Sequence, residues 1–415
     1  MKFGGASVRD AAAIRNVAEI IIRHAQVPLL IVVSAMDKTT NHLELLAQKA
    51  KGGERLATLD QFEKIIQFHI RIIRDLFGGD SKGVEAKVAV FFDEMERIVQ
   101  GILLLEEFPP RTYDRIVSYG ELLATTIVSE YLTWVSQDCI WLDARKLVKT
   151  DATHGAAEVI WSLTGGNIRR EVKPLLKAGR IAVTQGFIGA TIAGKVTTLG
   201  REGSDYTASI FAHSLDADSL IVWKDVPGVL NADPRLRDDT VKIDNLSYEE
   251  AVEMTFYGAT VIHPNTIKPI YNKKIPLYVK CFLDVSLPGT CISDKRNDEI
   301  ITSYIVKKDQ AFVSIKPLDF SFMEEQLMQE VFNRVYKSGV KVSLVQNSAI
   351  SLMLCVDQKP GPLGEFQSLL MDQFQVEVRQ GLQLHTVFNF TVKDLKLAYD
   401  SVMVQQHGNK LFFVK

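Results

Sequence analysis

The stretch 197–208 combines two glycines, an arginine and the start of a helix, and it is the strongest candidate for chemistry in this chain. A buried-strand pattern precedes it, and helical spacing follows it through 208–215. A glycine turn that leads into a helix offers free backbone N–H groups and the positive end of the helix dipole, which suit a phosphate. Arg201 adds a planar guanidinium that matches a carboxylate or phosphate. The alternative is an ordinary turn in which Ser204 or Asp205 caps the helix.

The opening of the chain supplies a second candidate for phosphate binding. Lys2 is predicted to lie in a short first strand. Gly4 and Gly5 are predicted to form the turn after it, and a helix is predicted from about 10 to 26. The sequence has no Walker A loop, no G-x-G-x-x-G after a strand and no protein-kinase motifs. Nucleotide phosphates would therefore be bound by another arrangement, and the two glycine turns together could provide it.

Composition excludes several classes of protein. The chain has 415 residues, which predicts two or three domains, and its 47% apolar and 24% charged residues are typical of a globular protein. A net charge of −2 without a basic stripe argues against nucleic-acid binding. Apolar runs such as 27–33 are too short to span a bilayer. Four cysteines without C-x-x-C spacing indicate neither a zinc site nor a disulfide framework, so a cytoplasmic protein is expected.

The order of the elements predicts an α/β domain followed by a different one. Strands alternate with helices as far as 276–281, which is expected to close a parallel sheet, and a helical insertion is predicted at about 41–105. The polar connector 284–301 marks the domain boundary. We therefore predict a catalytic domain at 1–297 and a smaller α+β domain with an antiparallel sheet at 298–415.

Several shorter elements are predicted less directly, from local patterns alone. The spacing of apolar residues favours a helix over 246–257. Near the C-terminus the alternation predicts separate strands at 376–379 and 384–390, one short helix at 395–402, and a last strand at 411–414.

Six motifs, in order along the chain, resemble those of aspartate kinases. They are Lys2-Phe-Gly-Gly-Ala-Ser-Val8, Ser34-Ala-Met-Asp-Lys-Thr-Thr-Asn41, Ser118-Tyr-Gly-Glu121, Thr197-Thr-Leu-Gly-Arg-Glu-Gly-Ser-Asp205, Asp225-Val-Pro-Gly228 with Ala232-Asp-Pro-Arg235, and Tyr257-Gly-Ala-Thr-Val-Ile-His-Pro264. The resemblance covers residues 1 to about 380. Within the family, the sequence most resembles the monofunctional, lysine-sensitive subgroup. It implies the three-layer α/β sandwich of amino-acid kinases (carbamate-kinase-like) followed by ferredoxin-like ACT domains.

The same resemblance implies an activity and a set of site residues. The reaction would be ATP-dependent phosphorylation of the side-chain carboxylate of L-aspartate to 4-phospho-L-aspartate, the first step of lysine, threonine and methionine (diaminopimelate) biosynthesis. Lys2 and Asp205 would be the catalytic residues. L-Aspartate would lie against Ser34, Thr40, Glu121, Arg201, Gly203 and Ser204. ATP would lie against Lys2, Gly4, Gly5, Ala6, Lys224, Asp225, Leu230, Arg235, Thr260 and Val261.

Within this implied site, Arg201 would bind the α-carboxylate of L-aspartate and Glu121 its α-amino group. Asp205 would orient Lys2. No metal site made by the protein is expected, because Mg²⁺ would arrive bound to the phosphates of ATP.

The sequence departs from the family pattern at five positions of this site. Glu202 stands where a second glycine is usual, Thr260 where many members have a lysine, Leu230 in place of an aromatic residue, Lys224 in place of a hydroxyl residue and Ala6 in place of threonine. We interpret the chain as an active enzyme in which Lys224 takes over the role of the lysine missing at 260.

The C-terminal region departs further from the family pattern. A first ACT domain is predicted at about 311–378, and the second, at about 379–415, is too short to be complete. Ser343 replaces the aspartate that lysine-binding members carry, whereas Asn347 and Ser348 could still line an effector site. The resemblance implies a homodimer formed through this region and a lysine effector, whose inhibition we expect to be weakened.

Two other functions remain open from the sequence. The first is a kinase of the same fold that acts on another amino acid, such as glutamate, although the motif 118–121 and the ACT region argue against it. The second is a ligand-binding paralogue without activity, which only Glu202, Thr260 and the short C-terminal region favour.

Overall fold

The computed structural model describes residues 1–135, 137–259, 262–295, 300–319 and 321–415. Thr260 and Val261, which the resemblance places near ATP, lie outside these described residues. The chain forms two compact units. The first contains residues 1–229, 244–248 and 263–296, and the second contains residues 230–243, 249–262 and 297–415.

The elements alternate as follows up to residue 293. The N-terminal part contains β1 (Lys2–Phe3), α1 (Ala11–His24), β2 (Leu30–Val33), α2 (Thr39–Lys51), α3 (Arg55–Phe77), α4 (Lys82–Leu105), α5 (Pro110–Trp134), β3 (Cys139–Leu142), α6 (Ala144–Leu147) and β4 (Lys149–Thr150). It is followed by α7 (Trp161–Glu171), α8 (Lys173–Lys177), β5 (Ile181–Gln185), β6 (Ile188–Thr191), β7 (Val196–Thr198), α9 (Gly203–Leu215), β8 (Leu220–Lys224), β9 (Asn245–Ser247), α10 (Tyr248–Phe256), α11 (Pro264–Tyr271), β10 (Leu277–Cys281) and β11 (Thr290–Ser293).

The main sheet of the first unit has eight strands in the order β3-β5-β2-β1-β8-β10-β11-β9. All neighbours are parallel except β10 and β11. Strand β1 has only two residues, yet it pairs on both sides, with β2 and with β8. Strands β2, β3 and β5 lie on one side of β1, whereas β8 and the strands after it lie on the other side. This reversal of strand order is where ligands bind in open α/β sheets.

A large apolar core covers one face of this sheet. Because side chains alternate along a strand, Ile31 and Val33 of β2 join this core whereas Val32 points to the other face. The helical insertion, α2 to α4, packs its apolar stripe into the same core together with α1 and α5. Helix α9 packs against β1, β2 and β8. The predicted α/β fold is confirmed.

The structure corrects three predictions for the stretch 246–301. Strand β10 does not close the sheet, because β11 and β9 extend it. Strand β11 lies inside the stretch predicted to be a polar connector, where its single buried apolar residue, Ile292, was too weak a signal among polar neighbours. The helix predicted over 246–257 begins at Tyr248, since Asn245–Ser247 pairs with β11.

The second unit contains an antiparallel sheet of six strands. Its elements are β12 (Ser303–Pro317), α12 (Glu325–Ser338), β13 (Val342–Ser348), β14 (Ser351–Asp357), α13 (Pro360–Leu370), β15 (Phe374–Phe388), β16 (Met403–His407) and β17 (Lys410–Val414). The strand order is β13-β14-β12-β15-β17-β16. The first six elements therefore form a βαββαβ unit of the ferredoxin-like type.

Three predictions for the second unit need correction. The two strands predicted at 376–379 and 384–390 are one strand, β15, that continues through Gly381 with φ of +74°. The short helix is a 3₁₀ segment at Val392–Ala398. Strand β16 was not predicted, because its mixed sequence, Met403 to His407, carries no clean alternation.

None of the helices in the described part of the chain combines the length and the apolar character needed to cross a bilayer.

Candidate active site

Three neighbouring strands of the main sheet end at the same edge. Phe3 of β1 is in register with Val33 of β2 and with Trp223 of β8, so the residues that follow meet at one level. The amide of Ser34 donates to the carbonyl of Phe3 over 3.1 Å, which holds the first two strand ends together. Lys224, the last residue of β8, lies at this carboxyl edge as well.

A buried carboxylate with two lysines forms the centre of this edge. Asp205 lies in the first turn of α9 with 2% of its side chain exposed. Its Oδ1 lies 2.6 Å from Nζ of Lys2, and its Oδ2 lies 3.1 Å from Nζ of Lys224. Burial raises the pKa of Asp205, but the two ammonium groups outweigh it and hold the pKa below its usual range. The cluster therefore carries a net positive charge.

The N-terminal glycine turn packs closely on the turn after β2. A Cβ added to Gly5 would lie 2.7 Å from the carbonyl oxygen of Ala35 and 2.9 Å from that of Asp37, so no larger residue fits without a shift. The hydroxyl of Ser7 donates to the carbonyl of Gly4 over 2.6 Å and closes the turn. Ala6 is exposed at its tip.

The second glycine turn begins α9 in an unexpected way. Neither Ser204 nor Asp205 is the N-cap; that residue is Glu202, which has a left-handed φ of +53° and no capping hydrogen bond from its side chain. A left-handed conformation favours glycine, which accounts for the glycine expected at this position. Gly203 is buried against Phe187, and an added Cβ would lie 2.8 Å from that ring.

Glu121 is the second buried carboxylate beside this edge. It lies on α5 with 3% exposure, and its Oε1 accepts a hydrogen bond from the amide of Ala35 over 3.2 Å. Its Oε2 has no hydrogen-bond partner among the described residues. Burial raises the pKa of Glu121 to about 8, although the hydrogen bond from Ala35 and the charge of Lys2 act in the opposite direction. An ammonium group is the kind of partner that Oε2 lacks.

The other residues expected to contact L-aspartate range from buried to exposed. Ser34 and Thr40 are half-buried on either side of the turn after β2, and Ser204 is buried in the first turn of α9. An added Cβ on Gly186 would lie 2.5 Å from the side chain of Ser204, so α9 begins in close contact with the end of β5. Arg201 is exposed, and its guanidinium has no hydrogen bond to the described residues.

The residues expected at ATP divide between the two units. Lys2, Gly4, Gly5, Ala6, Lys224 and Asp225 belong to the first unit. Leu230 and Arg235 belong to the second, where Arg235 is exposed and pairs with Asp233 over 2.7 Å. The structure thus brings the first group together at the sheet edge. It supplies one contact that the sequence did not predict, between Lys224 and Asp205.

Sequence reasoning also missed a second buried carboxylate cluster, around Asp114 on α5. Asp114 is fully buried and accepts hydrogen bonds from His154, Gly155 and Thr198. The available signal was its position seven residues before Glu121, which places both carboxylates on one face of a helix.

Known proteins resemble this chain in sequence. A sequence model of the amino acid kinase family matches residues 1–281. The chain is 33% identical over 396 residues to the lysine-sensitive aspartokinase 3 of Escherichia coli, with 92% of this chain and 85% of that protein covered. The chain belongs to the aspartokinase family. The family resemblance predicted from the sequence is therefore confirmed. The protein is an enzyme, a kinase.

Solved structures of the family resemble the whole chain. The structure of E. coli aspartokinase III with aspartate and ADP, described as the R-state, has a TM-score of 0.86 at 29% identity and covers 100% of this chain and 95% of its own. The structure of the same protein with lysine and aspartate, described as the T-state, has a TM-score of 0.81 at 28% identity with the same coverage.

The residues expected to bind an effector in this aspartokinase-family chain lie on β13. The hydroxyl of Ser343 accepts a hydrogen bond from Nζ of Lys307 over 2.8 Å and donates one to Gln310 over 3.1 Å. Lys307 also lies 2.6 Å from Asp357. Asn347 and Ser348 are exposed at the far end of the strand. A lysine of the chain itself, Lys307, therefore already contacts Ser343.

The described residues contain no group of three or more His, Cys, Asp or Glu side chains placed to hold a metal ion. The most buried carboxylate at the sheet edge, Asp205, has each oxygen directed to a lysine. This donor set suits phosphate neutralisation better than metal ligation.

Replacement of Asp205 by asparagine is expected to lower the free energy of unfolding by about 3 kcal/mol, because the buried Lys2 loses its counter-charge. Since the pKa of Asp205 is lowered in the folded protein, its stabilising contribution is present above the ordinary pKa of an aspartate. The difference between wild type and variant, measured by urea unfolding, should therefore shrink below about pH 4.

Asp216→Asn is the matched control, because Asp216 lies at the other end of α9, is 59% exposed and pairs with Lys273. It should change the free energy of unfolding by less than about 1 kcal/mol. Equal effects of the two substitutions would contradict a special role for the buried pair.

Proposed function

We propose that this chain transfers the γ-phosphoryl group of MgATP to the side-chain carboxylate of L-aspartate. A similar structure, that of E. coli aspartokinase III, contains aspartate and ADP. The observation that carries the proposal is the pair of lysines held by one buried carboxylate at the sheet edge, beside a second buried carboxylate with an unpaired oxygen. The first feature suits phosphates, and the second suits an amino acid. The product would enter amino-acid biosynthesis.

The phosphoryl side of the mechanism needs positioning and charge neutralisation. A carboxylate is already a nucleophile at neutral pH, so no general base is required. Lys2 and Lys224 supply positive charge, and Asp205 fixes both ammonium groups without taking a proton. Amides of the turn at Gly4, Gly5 and Ala6 would contact the phosphates.

The remaining nucleotide contacts are assigned from the family resemblance. Asp225 follows β8 directly, and Leu230, Arg235, Thr260 and Val261 complete the set expected around ATP. Mg²⁺ bound to the nucleotide would supply further neutralisation of the phosphate charge.

The amino-acid side of the mechanism uses opposite charges at two ends. Arg201 would bind the α-carboxylate, and its exposed guanidinium is free to do so. Glu121 would bind the α-amino group through Oε2. Ser34, Thr40, Gly203 and Ser204 would line the space between them. The amino acid is thus held at both ends, and its side-chain carboxylate is left for the phosphoryl group.

The direct test is formation of aspartyl hydroxamate from MgATP, L-aspartate and hydroxylamine. Wild type should form it, and Lys2→Ala should lower the rate by about 10²- to 10³-fold, because one cation that stabilises the transferring phosphoryl group is lost. Lys64→Ala is the control, since Lys64 is an exposed residue of α3 paired with Asp60. Hydroxamate formed with L-glutamate but not L-aspartate, or an unchanged rate for Lys2→Ala, would contradict the proposal.

A second test uses the raised pKa of Glu121. Below about pH 8 its carboxyl group is protonated and cannot hold an ammonium group, so the KM for L-aspartate should fall as pH rises from 6.5 to 8.5, by up to about tenfold per unit. Glu121→Gln should have a higher KM that no longer depends on pH. The KM for MgATP should follow the same pH profile in both proteins. A KM for L-aspartate that rises with pH in wild type would contradict the role of Glu121.

We further propose that residues 298–415 are an ACT region that mediates homodimer formation and binds lysine at Ser343, Asn347 and Ser348. The βαββαβ order supports this assignment, and lysine is bound in a T-state relative. A cytoplasmic location is supported by four free cysteines. Inhibition by lysine should be weak, because Lys307 already donates to Ser343.

Lysine added to the same assay tests this regulation. Lys307→Met should lower the inhibitory concentration of lysine by about tenfold, since Ser343 and Asp357 become free to accept the effector's ammonium group. Lys316→Met is the control, because Lys316 lies exposed on the same strand. An equal inhibitory concentration in wild type and both variants would place the lysine site elsewhere.

A further inference from the structure

Asp114 joins three separate segments of the first unit at one buried point. Its Oδ2 lies 2.6 Å from Nδ1 of His154, and its Oδ1 accepts from the hydroxyl of Thr198 over 2.6 Å. The amide of Gly155 donates to both oxygens, over 3.0 and 3.2 Å. Asp114 and Thr198 are completely buried. A carboxylate with no exposure and this many donors fixes all of them in one geometry.

The donors lead directly to the turn that carries Arg201. Thr198 is the last residue of β7 and stands three residues before Arg201. Its carbonyl accepts from the amide of Ala157 over 2.8 Å, so the loop that contains His154 and Gly155 is tied to the same point.

Gly200 adds a steric contact between the same loop and this turn. A Cβ added to Gly200 would lie 3.3 Å from the carbonyl oxygen of Gly155, and Gly200 has a left-handed φ of +77°. The turn therefore rests on a loop whose position Asp114 sets. Arg201 itself makes no hydrogen bond to the described residues, so its position depends on this support.

The other end of the connection is Glu121. Asp114 and Glu121 lie on one face of α5, seven residues apart, which is about 10 Å along the helix axis. Helix α5 thus holds Glu121 directly, and through Asp114 it holds the turn with Arg201. These are the two residues that the proposed function assigns to the two ends of the amino acid.

We propose that Asp114 is a positioning residue of the amino-acid site: through Thr198 and Gly155 it sets the distance between Arg201 and Glu121. This inference rests on the proposed function. It assigns no contact with the substrate to Asp114. The two lysines that pair with Asp205 lie on β1 and β8 and not on the turn that carries Arg201, so we expect nucleotide binding to change much less than binding of the amino acid.

The test separates the kinetic constants of the two substrates. Asp114→Asn and Thr198→Val should raise the KM for L-aspartate by about 10- to 100-fold, because hydrogen bonds to a buried charge are lost. The KM for MgATP should change by less than about threefold, which marks a loss confined to one substrate. Thr198→Ser retains the hydroxyl and should restore the KM for L-aspartate to within about threefold of wild type.

Thr58→Val is the matched control for loss of a buried hydroxyl. Thr58 is fully buried on α3 and donates to the carbonyl of Glu54 over 2.8 Å, within the helical insertion. It should lower stability in thermal unfolding without changing the KM for L-aspartate. Calorimetric titration of each folded variant with L-aspartate alone provides a binding measurement that does not depend on turnover.

The outcomes distinguish this inference from the proposed function. A wild type that forms no aspartyl hydroxamate and binds no L-aspartate overturns both. An active wild type with Asp114 and Thr198 variants that lose stability, or lower kcat, at an unchanged KM for L-aspartate overturns the positioning role alone. Equal increases in the KM values for both substrates would do the same.

Discussion

The ion pairs of Asp205 are the constraint on which the first unit depends. A carboxylate with 2% exposure is costly to bury unless its charge is compensated, and here two lysines from different strands provide the compensation. Lys2 can reach it only because the two-residue strand β1 lies between β2 and β8. Helix α9 must therefore begin at this sheet edge, which requires the left-handed residues before it and the close contact between Gly186 and Ser204.

The charges of the site are arranged so that neither of its two buried carboxylates repels phosphates before the amino acid binds. Asp205 keeps a lowered pKa and is neutralised by two ammonium groups, whereas burial raises the pKa of Glu121 to about 8. At neutral pH without substrate, Glu121 is therefore largely uncharged. An arriving ammonium group would favour its ionised form, so the negative charge appears only when it is matched. A site for an amino acid and a site for a polyphosphate can then lie side by side.

Most of the catalytic unit was predictable, because its strands are short apolar runs and its glycine turns have characteristic spacing. The pairing of Lys2 with Asp205 followed from the family resemblance, but that of Lys224 did not, since Lys224 replaces a hydroxyl residue there. Asp114 was missed because its donors lie about 40 and 84 residues away, and no local pattern records such contacts. Strands β9 and β16 were missed because edge strands need few apolar residues, and β11, which lies next to the edge, has only one buried apolar residue, Ile292.

In the sheet of the second unit, Lys307 lies where the two halves of the sheet meet. Strands β12 and β15 pair with each other along almost their whole length. Over one half of this pair β12 also pairs with β14, and over the other half β15 also pairs with β17. The register of β12 and β15 shifts between Lys307 and Phe312, where Asp309 has a left-handed φ of +55°. The network of Lys307, Gln310, Ser343 and Asp357 lies at this shift. An ammonium group that displaced Lys307 would thus act on the junction of the two halves, where the ladder is already irregular, rather than on a regular stretch of sheet.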